Sequence, residues 1–291
     1  MAARRLIINA DDFGLTDGVN RAIAEAHSRG VVTSATLMAT GAAFDGAVAV
    51  AKQNSKLSVG CHVLLVDGVP AAKAADLPTL VKENQFQSSL LKFVQAAVRG
   101  RLNPQEIAAE VAAQIRKLQQ AGISVSQVDT HKHTHMFPAV LRPLLEAARQ
   151  CGVRAVRNPF APLKPLAWAH LARRPRLWTR YTEVRALRGF AASFRRAVAE
   201  MGMLTTDGSF GVLSTGALDE KLFTSICGCI PEGTWEFVCH PGYNDAALSG
   251  VRTRLRASRE LELKVLTSPE AKEALQRHGI ELISYRELAE S

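Results

Sequence analysis

Short apolar runs alternate with amphipathic segments along the chain. The apolar runs are typical of buried strands and lie at 5–10, 33–39, 57–65, 125–131, 153–159, 235–241 and 280–285. Apolar residues recur at helical spacing in the segments 17–28, 42–53, 88–99, 104–121 and 138–151. Asp17 is a candidate cap for the first of these helices. Strict alternation of strands and helices predicts a parallel sheet, either open or closed into a barrel.

Two stretches interrupt this alternation. A long loop is predicted from about Val66 to Gln87. From Lys164 to Arg196 the chain carries nine lysines and arginines against one acid, Glu183, which is most of the formal charge of +9. A basic segment of this kind suggests an anionic partner surface, either membrane or nucleic acid. A solvated helix face is the commoner explanation.

Composition narrows the class of protein. The 291 residues are 47% apolar, which is ordinary for a chain with a core, and no apolar run approaches the roughly 20 residues of a membrane span. The apolar run near the N-terminus is too short for a signal peptide. The five cysteines include a C-x-C pair, Cys227 and Cys229, without a second pair nearby. We therefore expect a cytosolic protein with structural cysteines rather than disulfides or a zinc knuckle.

Polar side chains cluster at the predicted carboxyl ends of the strands. Six such residues are Asp11, Asp12, His62, Asp129, His131 and His240. Carboxyl ends share one face of a parallel barrel, or border the ligand crevice of an open sheet. Taken singly, each has a structural explanation: a turn or cap for the aspartates, a satisfied core position for His62, and polar strand edges for the others. Their common position favours a site.

The residue types in this cluster suit metal-assisted hydrolysis. If the chain stays extended, Asp129, His131, His133 and His135 point to one face. One aspartate and two histidines would leave a coordination position open for water. Of two adjacent carboxylates, one can bind the ion while the other takes a proton from water. A histidine such as His240 could protonate a leaving amine.

Several motifs together resemble a known family. "NADDFG", "GCHVLL", "VDTHKHTHMFP" and "GTWEFVCHPGY" occur in order between Leu6 and about Tyr243. They resemble the YdjC-like carbohydrate deacetylases, the family of chitooligosaccharide deacetylase. The resemblance implies a distorted (β/α) barrel of about seven strands, one divalent metal ion, and removal of N-acetyl groups from amino sugars. It further implies a single deacetylase domain over 1–291 with a basic helical insertion around 162–204.

The resemblance assigns roles to individual residues. His62 and His131 match the metal-ligating histidines, and Asp11 with Asp12 matches the paired acids. By similarity to NodB-type deacetylases we assign Asp12 to the metal and Asp11 as the base, although the reverse stays open. His240 is the candidate acid. Supporting or substrate-binding roles fall to Asp129, His133, His135 and Arg157. Imidazole and carboxylate ligands favour zinc, cobalt or manganese, and the family also suggests magnesium.

The basic insertion refines the expected substrate. Arginines there interleave with aromatic residues, which suits an interfacial helix on anionic lipid. The insertion and "TTDGSFGVLSTGAL" look most like the hopanoid-biosynthesis-associated HpnK proteins, which implies an N-acetylglucosaminyl hopanoid as substrate and peripheral contact with the inner membrane. The expected lipid contacts are Trp168, Trp178, Arg173, Arg174 and Arg176. No nucleic-acid motif is present.

Other functions compete with this one. One is deacetylation of soluble chitooligosaccharides. Another is metal-dependent binding of a carbohydrate or lipid without catalysis, which would need neither base nor acid. A third possible function is that of a phosphoesterase, which would require more carboxylates or a second metal ion.

Overall fold

A parallel β-sheet forms the centre of the molecule. The structure is a computed structural model that describes residues 3–162, 164–166, 171, 172 and 174–290, with Arg176 described by its backbone alone. The strands are β1 Arg4–Phe13, β2 Ser34–Leu37, β3 Ser58–Val63, β4 Val81–Lys82, β5 Gln85–Phe86, β6 Gln127–Thr130, β7 Ala155–Val156, β8 Gly208–Phe210, β9 Gly233–Cys239 and β10 Ile280–Leu282.

The sheet curls into a distorted barrel. Its strands run in the order β7-β6-β3-β2-β1-β9-β8, and each neighbouring pair is parallel. The two edges meet, because Val156 N–H donates to the Leu204 carbonyl at 2.9 Å and Ser209 N–H donates to the Phe160 carbonyl at 3.0 Å. The expected α/β barrel of about seven strands is confirmed among the described residues.

The first strand lies at the centre of this sheet. It pairs with β9 from Arg4 to Ala10, while β2 pairs only with its second half, from Asn9 onward. The short strand β10 fills the place beside its first residues, where Arg4 aligns with Ile280. Residues from Leu6 to Phe13 are buried, as expected for a parallel strand with both faces covered.

Helices surround the barrel among the described residues. They are α1 Asp17–Ser28, α2 Phe44–Gln53, α3 Leu90–Val98, α4 Pro104–Gln120, α5 Pro138–Gln150, α6 Trp178–Leu187, α7 Ala191–Glu200, α8 Glu220–Cys227, α9 Ala246–Ser249, α10 Ala257–Thr267, α11 Pro269–Arg277 and α12 Tyr285–Glu290. The cap of α1 is Thr16, whose hydroxyl accepts from Val19 N–H, so the assignment of Asp17 as cap was wrong by one residue.

Sequence patterning placed most elements within a few residues. The strand β8 was missed, because three residues, Gly208 to Phe210, carry no periodic signal. The predicted loop after β3 contains the β4–β5 hairpin, and it is held by α4: Glu110 accepts hydrogen bonds from the backbone of Ala71 and Ala72 at 2.8 and 2.9 Å. The five cysteines are free thiols. Within the described residues, none of the helices has the length and apolarity to span a membrane.

Candidate active site

The end of β1 holds the paired aspartates in a bulge. Ala10 aligns with Ala35 of β2, but Phe13 aligns with Leu37, so β1 has one extra residue between these pairs. Asp12 has φ of 65°, a left-handed backbone conformation that is uncommon outside glycine. Bulges of this kind re-aim side chains at the rim of a barrel. Both carboxylates consequently lie in the site, although they are adjacent in a strand.

Two neighbouring strands place His62 and Asp129 side by side. They are register partners in β3 and β6, and both are buried. His62 Nδ1 lies 2.7 Å from Asp129 Oδ1. Burial disfavours a charged imidazole, but the carboxylates of Asp129, Asp11 and Asp12 together outweigh burial and raise the pKa of His62 to about 10. This pairing holds the ring so that Nε2 faces away from Asp129.

The histidine-rich run does not continue β6. The strand ends at Thr130, and a tight turn over His131–Met136 follows, with Lys132 and His133 at φ of 57° and 53°. The condition under which alternate residues would share one face, an extended chain from Asp129 to His135, is therefore not met. Strained turns like this one occur at functional sites because other contacts fix them.

The turn sends the three histidines to different places. His131 points to Asp12 and His62, and His133 reaches the wall of the central cavity. His135 is buried beneath the site, with Nδ1 2.7 Å from Thr130 Oγ1 and Nε2 3.2 Å from the Arg157 carbonyl oxygen. These contacts give His135 a supporting position and no exposure to the cavity.

Three ligand atoms form a nearly equilateral triangle. Asp12 Oδ1 lies 3.5 Å from His62 Nε2 and 3.4 Å from His131 Nδ1, and the two nitrogens are 3.3 Å apart. Asp12 Oδ1 is buried and has no hydrogen-bond partner among the described residues. The centre of such a triangle is about 2.0 Å from each corner, which is the length of a zinc–nitrogen or zinc–oxygen bond. These residues therefore fit a divalent metal ion.

A residue outside the predicted set holds the other oxygen of Asp12. Arg259, on α10, donates from Nη2 to Asp12 Oδ2 at 2.5 Å. Burial opposes ionisation of Asp12, but Arg259, with the neighbouring histidines, keeps its pKa well below the usual range. The sequence offered one usable signal for Arg259, an arginine on a helix that follows the histidine-bearing strand β9.

Arg157 binds the second aspartate and is the centre of a buried ionic network. Its Nη1 and Nη2 donate to Asp11 at 2.8 and 2.6 Å, its Nη1 also contacts Asp129, and its Nε donates to Glu236 at 2.9 Å. Tyr285 donates its hydroxyl to Glu236 at 2.6 Å. The ion pairs of Arg157 are buried, since its exposure is 1%.

This network sets the ionisation of its members. Burial raises the pKa of a carboxyl group, but at Asp11 the guanidinium of Arg157, together with His62 and His240, outweighs burial and holds the pKa far below the usual range. At Glu236 burial prevails over Arg157 and raises the pKa to about 7. Asp11 is therefore a carboxylate at neutral pH, fixed in orientation by a two-point contact.

His240 lies close to the carboxylate of Asp11. Its Nε2 lies 3.9 Å from Asp11 Oδ2, and its backbone N–H donates to Glu262 Oε2 at 2.6 Å. His133 also borders the cavity, and burial, with Arg157 nearby, lowers its pKa to about 3. A neutral His133 can accept or donate one hydrogen bond to a bound molecule.

A cavity of about 810 Å³ opens above these residues. Its floor contains Asp11, Asp12, His62, His131 and His240. Apolar side chains form one part of its wall, and five lysine and arginine side chains form another. The apolar group is Leu15, Met38, Leu64, Val212, Val251 and Leu255; the basic group is Lys132, Arg252, Arg254, Arg256 and Arg259.

The predicted lipid contacts are only partly within the described residues. Trp178 is 54% exposed at the start of α6, and its indole N–H donates to the Leu171 carbonyl at 2.9 Å. Arg174 forms an ion pair with Asp219 at 2.6 Å. Trp168, Arg173 and the side chain of Arg176 lie outside the described residues.

The chain is similar to known proteins over almost its whole length. The model of the family described as "YdjC-like protein" matches residues 5–277. The chain belongs to the YdjC-like family. Among curated members, a carbohydrate deacetylase of Brevibacillus brevis is 32% identical over 287 residues, covering 98% of this chain and 99% of the relative. A chitooligosaccharide deacetylase of Klebsiella pneumoniae is 33% identical over 288 residues, covering 98% of this chain and 99% of the relative.

A solved structure shares the architecture. A proposed cellobiose-phosphate cleavage protein of Enterococcus faecalis superposes with a TM-score of 0.79 at 26% identity, and the match covers 99% of each chain. The predicted membership of the family is thus confirmed.

Proposed function

We propose that the protein is a metal-dependent N-deacetylase, which hydrolyses the acetamide group of an N-acetylated amino sugar. Its class, a carbohydrate deacetylase, is confirmed by the relatives described above. The observation that carries the proposal is the triangle of Asp12, His62 and His131 with Asp11 and His240 beside it. Binding alone would require neither of these two additional groups, which disfavours a non-catalytic protein.

A divalent ion held by Asp12, His62 and His131 would polarise the acetyl carbonyl group and acidify a water molecule. Side chains of the protein accept and donate the protons of the reaction. Asp11 is ionised and oriented by Arg157, so it can accept a proton from the attacking water.

His240 is the proposed proton donor to the leaving amine. Its Nε2 faces Asp11 Oδ2 across 3.9 Å, so the base and the acid flank one reaction centre. The bond between Glu262 and the backbone N–H of His240 fixes this position. Acetate and a free amino sugar are the products.

Zinc is the proposed ion, with magnesium as the alternative. Two imidazoles and one carboxylate suit zinc, cobalt or manganese better than magnesium. Bonds of about 2.0–2.1 Å are typical of zinc with nitrogen and oxygen ligands, and magnesium–oxygen bonds have the same length. The observed separations of 3.3, 3.4 and 3.5 Å fit bonds of this length to either ion, so the proposal of zinc rests on the two imidazole ligands.

For the substrate we propose an N-acetylglucosaminyl hopanoid or a similar lipid-linked amino sugar. Arg180 of α6 donates to the Thr215 carbonyl, and Thr215 lines the cavity, so the basic insertion reaches its rim. Arg254 lines the cavity close to Arg180. An apolar and basic mouth suits a sugar presented from an anionic lipid surface, which supports peripheral contact with the inner membrane.

The exposed side of α3 also supports a lipid-linked substrate. In α3, Leu91 and Val98 are 67% and 71% exposed and lie on one side of the helix, with Lys92 in the same helix. This helix begins three residues after Gln87, whose carbonyl accepts from the N–H of Asp67 in the cavity wall. Apolar side chains beside basic ones are typical of helices that lie on membranes.

Mass spectrometry on two substrates tests the proposal. The zinc-loaded protein, and separately the magnesium-loaded protein, is incubated with N,N'-diacetylchitobiose or with N-acetylglucosaminyl bacteriohopanetetrol in detergent. Loss of one acetyl unit from the lipid alone supports both parts of the proposal. Loss from chitobiose alone keeps the deacetylase and contradicts the lipid substrate. The control is Asp11→Asn, which should bind the metal and release no acetate; metal binding without release by the wild type favours a binding protein.

A further inference from the structure

We propose that Arg259 is a positioning residue that holds the metal-binding carboxylate of Asp12 in the orientation required for coordination. The proposal rests on the metal site described above and deepens it. It concerns the two oxygens of one side chain: Oδ2 is bound by Arg259 Nη2 at 2.5 Å, whereas Oδ1 faces His62 and His131.

The bulge in β1 leaves the Asp12 side chain dependent on such a partner. Asp12 has a left-handed backbone, with φ of 65°, at a point where the register of β1 with β2 shifts. Within the described residues, Oδ1 makes no hydrogen bond at all. The hydrogen bond from Arg259 therefore decides which oxygen is presented to the two histidines.

Arg259 is itself held in place on several sides. Its Nε donates to the Leu255 carbonyl at 3.2 Å, its exposure is 1%, and its backbone carbonyl accepts from Gly242 N–H at 3.3 Å. A Cβ at Gly242 would lie 2.9 Å from Arg259 Cδ, so a glycine is needed for this close approach. A fixed guanidinium loses little further freedom when it orients a carboxylate.

The helix α10 serves both halves of the site. Glu262 follows Arg259 by three residues and therefore lies on the same face of the helix. It accepts from the backbone N–H of His240 at 2.6 Å and of Gly216 at 3.1 Å. One helical face thus positions the carboxylate of the triangle and the proposed proton donor.

Two accounts of Arg259 predict opposite changes in metal affinity. A guanidinium near a cation site repels the ion, so removal of its charge alone would tighten binding. Loss of a partner that orients a ligand weakens metal affinity, typically about 10- to 100-fold. We expect the second effect to prevail in Arg259→Gln. Arg259→Lys keeps the charge but cannot reach both Leu255 and Asp12 in the same way, so its affinity should be intermediate.

The experiment measures zinc affinity of the full chain by competition with a chromophoric chelator at one pH. The matched control is Arg252→Gln, which removes an exposed arginine of the same cavity that has no described contact with Asp12. The same measurement is made in an Asp12→Asn background. If Arg259 acts through Asp12, its substitution should change zinc affinity little in that background. Visible absorption of the cobalt-substituted proteins reports the coordination geometry directly.

The expected result is a loss of about 10- to 100-fold for Arg259→Gln, an altered cobalt spectrum, and little change for Arg252→Gln. Unchanged or tighter binding overturns the proposal. An equal loss in the Asp12→Asn background also overturns it, because the effect would then be general to the fold. Circular dichroism in chelator checks folding, and Arg259→Lys provides the second variant. Deacetylation is assayed separately, so a protein that binds zinc but releases no acetate contradicts the proposed reaction and leaves the role of Arg259 intact.

Discussion

Asp129 offers a sharp test of how the buried network prepares the metal site. In the variant Asp129→Asn, one carboxylate oxygen becomes an amide group of nearly the same shape. Asp129 Oδ1 lies 2.7 Å from His62 Nδ1, and its other oxygen contacts Arg157 and, at 3.4 Å, Thr36. Both His62 and Arg157 donate hydrogen bonds to Asp129 when His62 Nε2 carries a lone pair for a metal. Asparagine has only one acceptor oxygen to offer them.

Each orientation of the new amide has a cost. If its oxygen faces Arg157, its NH₂ group faces His62 and favours the tautomer with a proton on Nε2, which cannot bind a metal ion. If its oxygen faces His62, the NH₂ group opposes a guanidinium N–H in a buried site, which costs about 1–3 kcal/mol. Through the first route, metal affinity should fall about 10- to 100-fold. Stability should fall by about 3 kcal/mol, the low end for a broken buried pair, because Arg157 retains Asp11 and Glu236.

Two assays measure these effects. Zinc affinity is determined by chelator competition, and the free energy of unfolding by urea titration in the presence of chelator. The control is Asp219→Asn, at the exposed cap of α8, where asparagine caps as well as aspartate does. Zinc affinity within twofold of wild type in Asp129→Asn would refute the reasoning, since His62 would then not depend on a carboxylate partner.

Three further predictions concern single side chains. Asp11→Asn should lower kcat about 100-fold or more in a deacetylation assay while zinc stoichiometry stays unchanged; full turnover would contradict its role as base. His131→Ala should lose zinc in a metal analysis, whereas His135→Ala should keep zinc and lose about 2–3 kcal/mol in urea unfolding, and the reverse pattern would contradict the assignment. Burial raises the pKa of Glu110 above its unfolded value of 4.5, although hydrogen bonds from Ala71 and Ala72 oppose this. The contribution of Glu110 to the free energy of unfolding is therefore full below pH 4.5 and is lost as pH rises through the pKa of the folded state. In urea unfolding, the free energy of unfolding of the wild type should rise relative to that of Glu110→Gln as pH falls from 7 to 4.5. A fall over the same range would contradict the prediction.

The alternation of strands and helices predicted the parallel sheet well, because long-range order follows from local patterns in such a sheet. The closure of the sheet into a barrel was implied by the family resemblance. Strand ends carry the polar residues, and parallel strands bring those ends to one face. Asp12, His62 and His131 come together for this reason. Asp11 and Arg157 were also identified, but their two-point contact could not be read from residues that lie 146 positions apart.

Two features of the site could not be predicted from the spacing of apolar residues along the chain. The turn after Thr130 depends on left-handed conformations at Lys132 and His133, and neither residue type signals them. The common face considered for His133 and His135 required an extended chain, and the turn does not meet that condition. Arg259 was missed because an inward-facing arginine in an amphipathic helix resembles a surface residue until its neighbours are known. The lipid contacts assigned to the basic insertion stay a prediction.

The central position of β1 bears on how the molecule is made. Arg4 aligns with Gly233 in one neighbouring strand and with Ile280 in another, so both partners lie more than 220 residues away along the chain. At about 5–20 residues per second, a ribosome takes roughly 10 to 50 s to produce β9 after β1 has emerged. During that time β1, with its apolar stretch and two aspartates, has only β2 to pair with. Nascent chains should therefore depend on chaperones until the last strands appear, and the site cannot assemble before Arg259 has been synthesised.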